Sequence, residues 1–502
     1  MPIDSSELVA AAMKSLQENP EPPAPPTPPR EPPPPPAIPQ WQLPTTDLGL
    51  AERLALRHGE NLRYCHPWKS WLIWDGRRWC ADESGQIFRL AAETVRSIYA
   101  EVSHFEDKPA RTARLKFAVS SEARRAITAL EELGRNLQGM VVTVDELDPN
   151  PFLLNCQNGV VNLQTGILSR PERSAMITKL VPYDYDPLAV AERWDRFCFE
   201  IMAERDNLVS FLQRAVGYSI TGDTTEKVLF LCHGATGNNG KTTFLETLRS
   251  VFGEYSGQVL IESLMVQKHA NGGAATPDIA DMRGLRLVTS SESEEGSRLA
   301  EAKIKYLTGM NRIKARRLHK DFWEFRPTCK LWLDLNHLPN IRGTDRAIWN
   351  RVRKIPFELE LEKDQINRGL MVELLQEAPG ILRWAVDGAI QWAGQGLGLP
   401  EEISAATDQY HSQMDVLGRF LEEATTPGLP SNEIGARQLY RVYCQWAAAS
   451  GEFTVSERVF GERLTDRGVT KRHTRSGAQY SGLRLSDAVS EFTSAPATSK
   501  SW

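Results

Sequence analysis

The chain is 502 residues long with 59 basic and 64 acidic side chains, a formal net charge of −5; without an overall positive field, any nucleic-acid contact must come from a local patch. Seven cysteines stand singly at 65, 80, 156, 198, 232, 329 and 444, with no C-x-x-C pair, which argues against a disulfide framework or a cysteine-rich zinc site and for a reducing compartment. No apolar run approaches the roughly 18 residues of a membrane helix and no basic-then-apolar leader opens the chain, so a soluble, cytoplasmic protein of about three domains, with no membrane contact, is expected.

Residues 1–40 form a low-complexity arm. Thirteen of the 31 prolines fall between positions 20 and 39, which forbids helix and favours an extended, solvated polyproline II chain. It reads as a linker or tail, with docking to a proline-binding partner as the alternative. From Trp41 to about Asp145 a small folded region is expected. Its centre, WKSWLIWDGRRWCADESGQIFRL, alternates apolar and polar residues around Asp75–Gly76, predicting a β-hairpin with Trp71, Ile73 and Trp79 inward. Helices are predicted over about 91–101 and 112–137, with Arg111, Arg114, Lys116, Arg124 and Arg125 on a solvated face. Residues 151–170, PFLLNCQNGVVNLQTGILSR, read as short strands broken by Asn158–Gly159 and Thr165–Gly166. The D-x-D of YDYDP at 183–187 precedes a proline with no strand before it, which makes it a loop rather than a two-metal site. Residues 194–218 then read as a pair of helices.

The most informative stretch is LFLCHGATGNNGKTTF, 229–244. An apolar strand leads in and a helix leads out, so the segment between is a strand-to-helix loop. Glycines let the backbone turn its N–H groups toward an anion, and the helix N-terminus adds partial positive charge. The residues that would cradle nucleotide phosphates are Gly234, Ala235, Thr236, Gly237, Asn238, Asn239, Gly240, Lys241, Thr242 and Thr243. Lys241 would reach the β- and γ-phosphates and Thr242 would offer its hydroxyl to Mg²⁺. In the usual spacing G-x-x-x-x-G-K-[ST] the first glycine falls on Ala235, with Gly234 one residue early.

Two strand-like runs follow. The run LRLVTSS, 285–291, ends in Glu292, with Glu294 and Glu295 just beyond; a carboxylate there can hold Mg²⁺ through water and polarise the attacking water. KLWLDL, 330–335, ends in Asn336, whose amide can bond the γ-phosphate or that water. Arg351 follows 15 residues later, a guanidinium available to a phosphate. Between the runs, RIKARRLHKDFWEF at 312–325 carries Lys314, Arg316, Arg317, His319 and Lys320 with aromatics behind them. Its alternation predicts a hairpin with a basic tip, suited to a nucleic-acid backbone more than to bases. Near the C-terminus, residues 433–449 and 456–467 are predicted helices, the second opened by a Ser456 cap and closed at Gly468. KRHTRSGAQYSGLRL at 471–485 reads as a basic hairpin wing, and helices followed by a wing suggest a winged-helix domain for DNA or partner docking.

From Gly284 to Phe357 the segments GLRLVTSSESEEGSRLAEAKIKYLTG, RLHKDFWEFRPT, KLWLDLNHLP and IRGTDRAIWNRVRKIPF together resemble the superfamily 3 helicase domain of phage and plasmid primase–helicases, a family extending to poxvirus primase–helicases. TDLGLAERLALRHG, NGVVNLQTG, YDYDP and WDRFCFEI resemble the domain that precedes it, so the likeness covers about 45–485. The resemblance implies an α/β chain with an AAA+-like P-loop ATPase core at 191–395. It implies a preceding α+β domain at 41–190 and a C-terminal winged-helix-like domain at 400–486, flanked by the arm at 1–40 and a polar tail at 487–502. It implies a DNA helicase using ATP and Mg²⁺, usually a hexameric ring, moving 3′ to 5′ on single-stranded DNA in phage, prophage or plasmid replication in a bacterial host. Lys241 and Thr242 match the phosphate-loop pair, Glu292 the acidic motif, Asn336 the polar sensor and Arg351 the finger acting on the neighbouring subunit's ATP; His319 and Lys320 match the DNA-gripping hairpin. GMN at 309–311 departs from the family's glycine–aspartate. The alternatives are an origin-melting initiator ATPase, or a DNA-binding module with a vestigial ATPase, against which the intact Lys241, Glu292, Asn336 and Arg351 argue. Forked duplex DNA is the expected substrate. Only the arm precedes Trp41, so priming is expected from a separate primase or initiator.

Overall fold

The computed structural model describes residues 38–234, 237–267, 277–291, 296–309, 312–315, 323–341, 346–362, 364–429, 431–474 and 477–486. The described residues divide into two compact units, one made of those up to 57 with 88–134, the other of 58–87 with those from 135 onward.

The first unit is helical. The helix predicted across 112–137 is two, Lys108–Ser121 and Arg124–Gly134, and the first begins earlier because Asp107 caps it, accepting from Ala110 N at 3.0 Å with Pro109 in the opening turn. Arg114 does not join the solvated face with Arg111, Lys116, Arg124 and Arg125; it is 8% exposed. The cause is a buried carboxylate. Arg53 holds both oxygens of Glu101, at 2.7 and 3.0 Å, and Arg114 Nη1 lies 3.0 Å from Glu101 Oε2 while its guanidinium covers the Phe105 ring. Arg53 also donates to the carbonyls of Leu43, Pro44 and Gly49, so this buried cation leaves few protons unmatched.

The second unit opens with two small antiparallel sheets. Leu62–Cys65, Ser70–Trp74 and Trp79–Ala81 form the first, and Trp71, Ile73 and Trp79 are buried as the alternation requires; Leu72 is buried too, packed with Cys65, Val142 and Leu147. Leu153–Cys156, Gly159–Asn162 and Leu168–Ser169 form the second. Its first turn is Gln157–Asn158, one residue before the expected pair, because Cys156 lies opposite Gly159. Asn158 then uses its amide to fix the loop at 183–187, bonding both the N–H and the C=O of Tyr185 at 2.9 Å.

A parallel sheet follows. Helices α1 (Glu192–Ile201) and α2 (Asp206–Ile220) precede β1 (Leu229–His233), α3 (Lys241–Phe252), β2 (Ser256–Gln258), β3 (Leu287–Ser291), β4 (Lys330–Leu335), β5 (Val352–Pro356) and α4 (Ala378–Gln395). The strands pair side by side in the order β5-β1-β4-β3-β2, all parallel, which makes the chain a mixed α/β protein. Both faces are covered, as a parallel sheet demands. Phe230, Cys232, Trp332 and Ile355 face the core containing α1 to α4, while Leu229, Leu231, Leu331, Leu333, Leu335 and Val352 face a second core with Ile304, Leu307, Ile313 and Phe325. Strand alternation thus sorts neighbouring residues into separate cores. At the amino end of β4 the ammonium of Lys330, 2% exposed, donates to the carbonyls of Thr221, Asp223 and Thr328, and burial holds it well below the usual lysine range.

The C-terminal part has its own core of Phe420, Tyr443, Trp446, Phe460 and Tyr480. Helices Ala436–Ala449 and Glu457–Asp466 are followed by the antiparallel pair Thr470–Thr474 and Gly477–Ser481; Ser456 caps the second helix through Val459 N. Residues 433–435 are not helical but a strand, because Ile434 pairs with Tyr480. Among the described residues no helix is long and apolar enough to cross a membrane.

Helices α2 and α4 meet backbone to backbone. A Cβ on Gly217 would lie 2.1 Å from Ala389 N, and one on Gly388 2.1 Å from Gln213 O, whereas Gly394 on α4 has open space around it. Gly217→Ala is expected to cost about 1–3 kcal/mol or more through overpacking. Gly394→Ala should instead add about 0.5–1 kcal/mol by lowering the entropy of the unfolded chain. Urea denaturation read on both variants checks the pair; equal effects would refute the close helix contact.

Candidate active site

The carboxyl end of β1 is where a buried apolar strand turns polar. Gly234 leaves it with no room for a side chain: a Cβ would stand 2.2 Å from Asn239 Nδ2 and 2.6 Å from the Phe357 carbonyl. Ala235 and Thr236 lie outside the described residues. Beyond them the loop passes Gly237, Asn238 at φ 59° and Gly240 at φ 83°. At Gly240 both conditions for glycine meet, since a Cβ would also strike Ile201 Cγ2 at 2.5 Å. The left-handed turn at Gly240 then starts α3 at Lys241.

Lys241 is 3% exposed. Its three N–H donors are all engaged: with Gly234 O at 3.2 Å, Asn239 Oδ1 at 2.9 Å and Asn336 Oδ1 at 3.0 Å. Burial lowers its proton affinity, and Asp334, whose Oδ1 stands 3.9 Å from Nζ, opposes that. Thr242 donates its hydroxyl to Asp334 Oδ2 at 2.6 Å, and Thr243 sits half-buried one residue on. The loop, the start of α3 and the end of β4 thus form one knot of hydrogen bonds.

Local pattern does not single out Asp334. It sits inside KLWLDL, a run that reads as buried strand, whereas the acid expected from the pattern stands at a strand exit. The available signal is alternation: Trp332, Asp334 and Asn336 share the face of β4 that looks toward α3, and Trp332 there belongs to the core containing Phe244. β3, by contrast, ends at Ser291, and Glu292, Glu294 and Glu295 lie outside the described residues.

Beside Gly234 an open hollow of about 550 Å³ is walled by His233, Lys354, Phe357, Arg205 and Glu402. Burial, reinforced by the cations Lys354 and Lys241 and by His337, pushes the His233 imidazole down to about 4. The arrangement offers a buried ammonium, a glycine turn at a helix start and a hydroxyl beside a carboxylate. These are groups that receive a phosphate chain and a small hard cation. Among the described residues no three His, Cys, Asp or Glu side chains cluster as a metal cage. A cation completed by phosphate oxygens and water requires none.

Arg351 is placed apart. It precedes β5, and its carbonyl accepts from Leu229 N at 2.8 Å, so it belongs to the amino end of the sheet. Its guanidinium bonds Thr308 Oγ1 at 3.1 Å and the Ala347 carbonyl. Five residues of β1 separate it from Gly234, about 16 Å of strand. The strands Ile313–Ala315 and Trp323–Phe325 do pair antiparallel, with Lys314 exposed opposite Glu324. Arg316, Arg317, His319 and Lys320 lie outside the described residues.

The chain matches the family described as "D5 N terminal like" over residues 51–203, and a family of unknown function over residues 232–351. It is similar to "Putative helicase L207/L206" of Acanthamoeba polyphaga mimivirus, 24% identical over 306 residues that make up 57% of this chain and 32% of that protein. It is also similar to "Putative helicase 022R" of Frog virus 3, 25% identical over 270 residues, 50% of this chain and 27% of that one. The chain thus spans about a third or less of these relatives' length. A solved structure, the apo form of the NrS-1 C terminal region, is similar with a TM-score of 0.46 and 11% identity, over 86% of this chain and 98% of that one.

The site makes a pH prediction. The unfolded chain takes up a proton on His233 near the usual 6.5, the folded chain only near 4, so the unfolded state binds more protons between them. His233 therefore withdraws stability as pH falls through that window and none above it. The His233 ring resonances should hold steady from about pH 8 to 5.5 in NMR titration; a midpoint near 6.5 would overturn the buried, cation-flanked placement.

Proposed function

We propose that this chain is a primase–helicase-like protein, an ATP-driven DNA helicase acting in replication, with its ATP site at 234–243; the matches to the D5 N terminal like family and to putative viral helicases support that reading. The carrying observation is Lys241: a buried ammonium satisfied by three neutral oxygens is poised to exchange them for phosphate oxygens. The β- and γ-phosphates replace Asn239 and Asn336 on the ammonium, the turn at 237–240 presents backbone N–H groups, and α3 contributes its positive end. Thr242 and Asp334, the latter through water, are the described residues that fit Mg²⁺; bound there the ion would neutralise charge growing on the β- and γ-oxygens. Asn336, released from Lys241, is then available to orient the attacking water, and Glu292 is assigned to polarise it. In this reading Ala235 and Thr236 are assigned to the phosphates with the rest of 234–243, and the hollow beside His233 holds the rest of the nucleotide.

Arg351 acts in trans. A single subunit cannot carry this guanidinium some 16 Å to its own loop, which supports a ring in which it meets a neighbour's ATP. Hexameric assembly, 3′ to 5′ movement and forked-DNA unwinding follow from the family reading, with Lys314, Arg316, Arg317, His319 and Lys320 gripping the strand. The C-terminal helices and the strand pair 470–481 are assigned to a winged-helix-like unit for DNA or a partner protein such as a primase.

Lys241→Ala should lower ATP hydrolysis about 10²-fold or more. Asp334→Asn should weaken Mg²⁺ about 10- to 100-fold, read as a shifted Mg²⁺ dependence of turnover. Wild-type turnover in Lys241→Ala refutes the ATP site; an unmoved Mg²⁺ curve in Asp334→Asn removes the carboxylate from it.

Mixing Arg351→Ala with Lys241→Ala subunits should restore part of the ATPase that each lacks alone. Interfaces between an intact loop and an intact guanidinium form only in the mixture. Co-assembled mixtures without recovery would remove the trans role.

A further inference from the structure

At the amino ends of β1, β3 and β4, the opposite end of the sheet from Lys241, lies a cleft of about 760 Å³. Residues 144–151 and 178–179 make one wall, and the segments leading into the strands, 222–225, 283–286 and 326–328, make the other. Five cations and three carboxylates line it. The carboxylates are all engaged within the fold. Asp145 pairs with Arg312 at 2.7 Å, Asp148 accepts from Thr178 N at 2.8 Å and from its hydroxyl, and Asp223 accepts from Thr225 N at 2.8 Å.

The cations are only partly so. Arg286 is spent on the carbonyls of Ile220 and Leu153, and Arg283 lies over the Trp68 ring. The side chains of Lys179 and Arg326 have neither a hydrogen bond nor an ion pair among the described residues. Lys179 is also confined: its carbonyl is bonded by Asn155 and Tyr255, and its Cε stands 3.2 Å from where a Cβ of Gly284 would be. Burial lowers its proton affinity, the Asp148 carboxylate opposes that, and the cations Arg283 and Arg78 add to the lowering, so an anion entering the cleft would meet a net excess of positive charge.

The cleft also has a direction. Arg312 and Arg326 flank the paired strands 313–315 and 323–325 at the end where Ile313 faces Phe325, so the mouth opens at the base of the basic hairpin. Its two rings, Tyr255 and Phe325, are 2% exposed and offer no face on which a base stacks. Recognition here falls to phosphates.

We propose that this cleft binds the phosphodiester backbone of single-stranded nucleic acid through Lys179 and Arg326, a second contact beyond the hairpin tip that rests on the DNA-acting reading above. Binding is then blind to base sequence and sensitive to salt.

The test measures anisotropy of labelled oligo-dT and oligo-dA against salt for the wild type, Lys179→Ala, Arg326→Ala and the double variant. Each single variant should weaken both oligonucleotides equally and reduce the log–log salt slope by about 0.7 for each phosphate no longer neutralised. Affinity for an ATP analogue should stay unchanged. In the wild-type protein, acetylation of Lys179 read by mass spectrometry should slow with oligonucleotide and not with inorganic phosphate or a mononucleotide. Wild-type slope and affinity in the double variant, with Lys179 acetylated at the same rate when oligonucleotide is bound, overturn the cleft alone. Protection by phosphate as strong as by oligonucleotide overturns it in favour of a small-anion site. If the wild type binds no oligonucleotide, the DNA-acting reading falls and the cleft with it.

Discussion

Five parallel strands covered on both faces leave chemistry only at their ends, because the side chains along the strands are taken by one or other of two apolar cores. The polar groups divide accordingly. At the carboxyl end Lys241, Thr242, Asp334 and Asn336 close on one another; at the amino end Lys330 and Arg286 bury their charges against backbone carbonyls. Such charges are expensive to bury, and they hold here because the protons they direct inward find oxygens and each cation lies over a ring, Lys330 over Tyr218 and Arg286 over Tyr255. The loops at the amino end are thereby fixed to the sheet by two cations rather than by apolar contact alone.

The knot at Lys241 has a similar logic with the opposite sign of permanence. Its three partners are uncharged oxygens, two from the loop and one from the end of β4, so a ligand must supply better acceptors than an amide and a carbonyl to displace them. Phosphate oxygens meet that condition and neutral ligands do not. The neighbouring imidazole, held neutral, offers phosphate no competing cation of its own, while Lys354 adds charge close by.

What was legible in the sequence was whatever local pattern controls. The strand before the glycine loop, the helix after it and the Trp71, Ile73, Trp79 hairpin follow from periodicity and turn chemistry, and the structure has them at those places. What was hidden depended on partners distant in sequence. Arg114 reads as solvated unless Glu101 is known to be buried beside it, and residues 433–435 read as helical unless Tyr480 is known to supply a strand. Asp334 is concealed by its own strand, since an acid in an apolar run gives no sign of which hydroxyl lies across the gap. The order of the strands is equally absent from local pattern, because β2 and β4, not β1, flank β3.

β4 places its site residues at every second position, with Asp334 and Asn336 on one face and Leu333 and Leu335 on the other. Insertion or loss of a single residue within this strand exchanges the two sets: leucines would meet Thr242 and Lys241, and a carboxylate would enter the apolar core. Such a frame error is more severe than any substitution at these positions. Descendants of this sequence can therefore exchange side chains of β4 only within the chemistry of each face and cannot change its length, so gaps belong in the loops on either side.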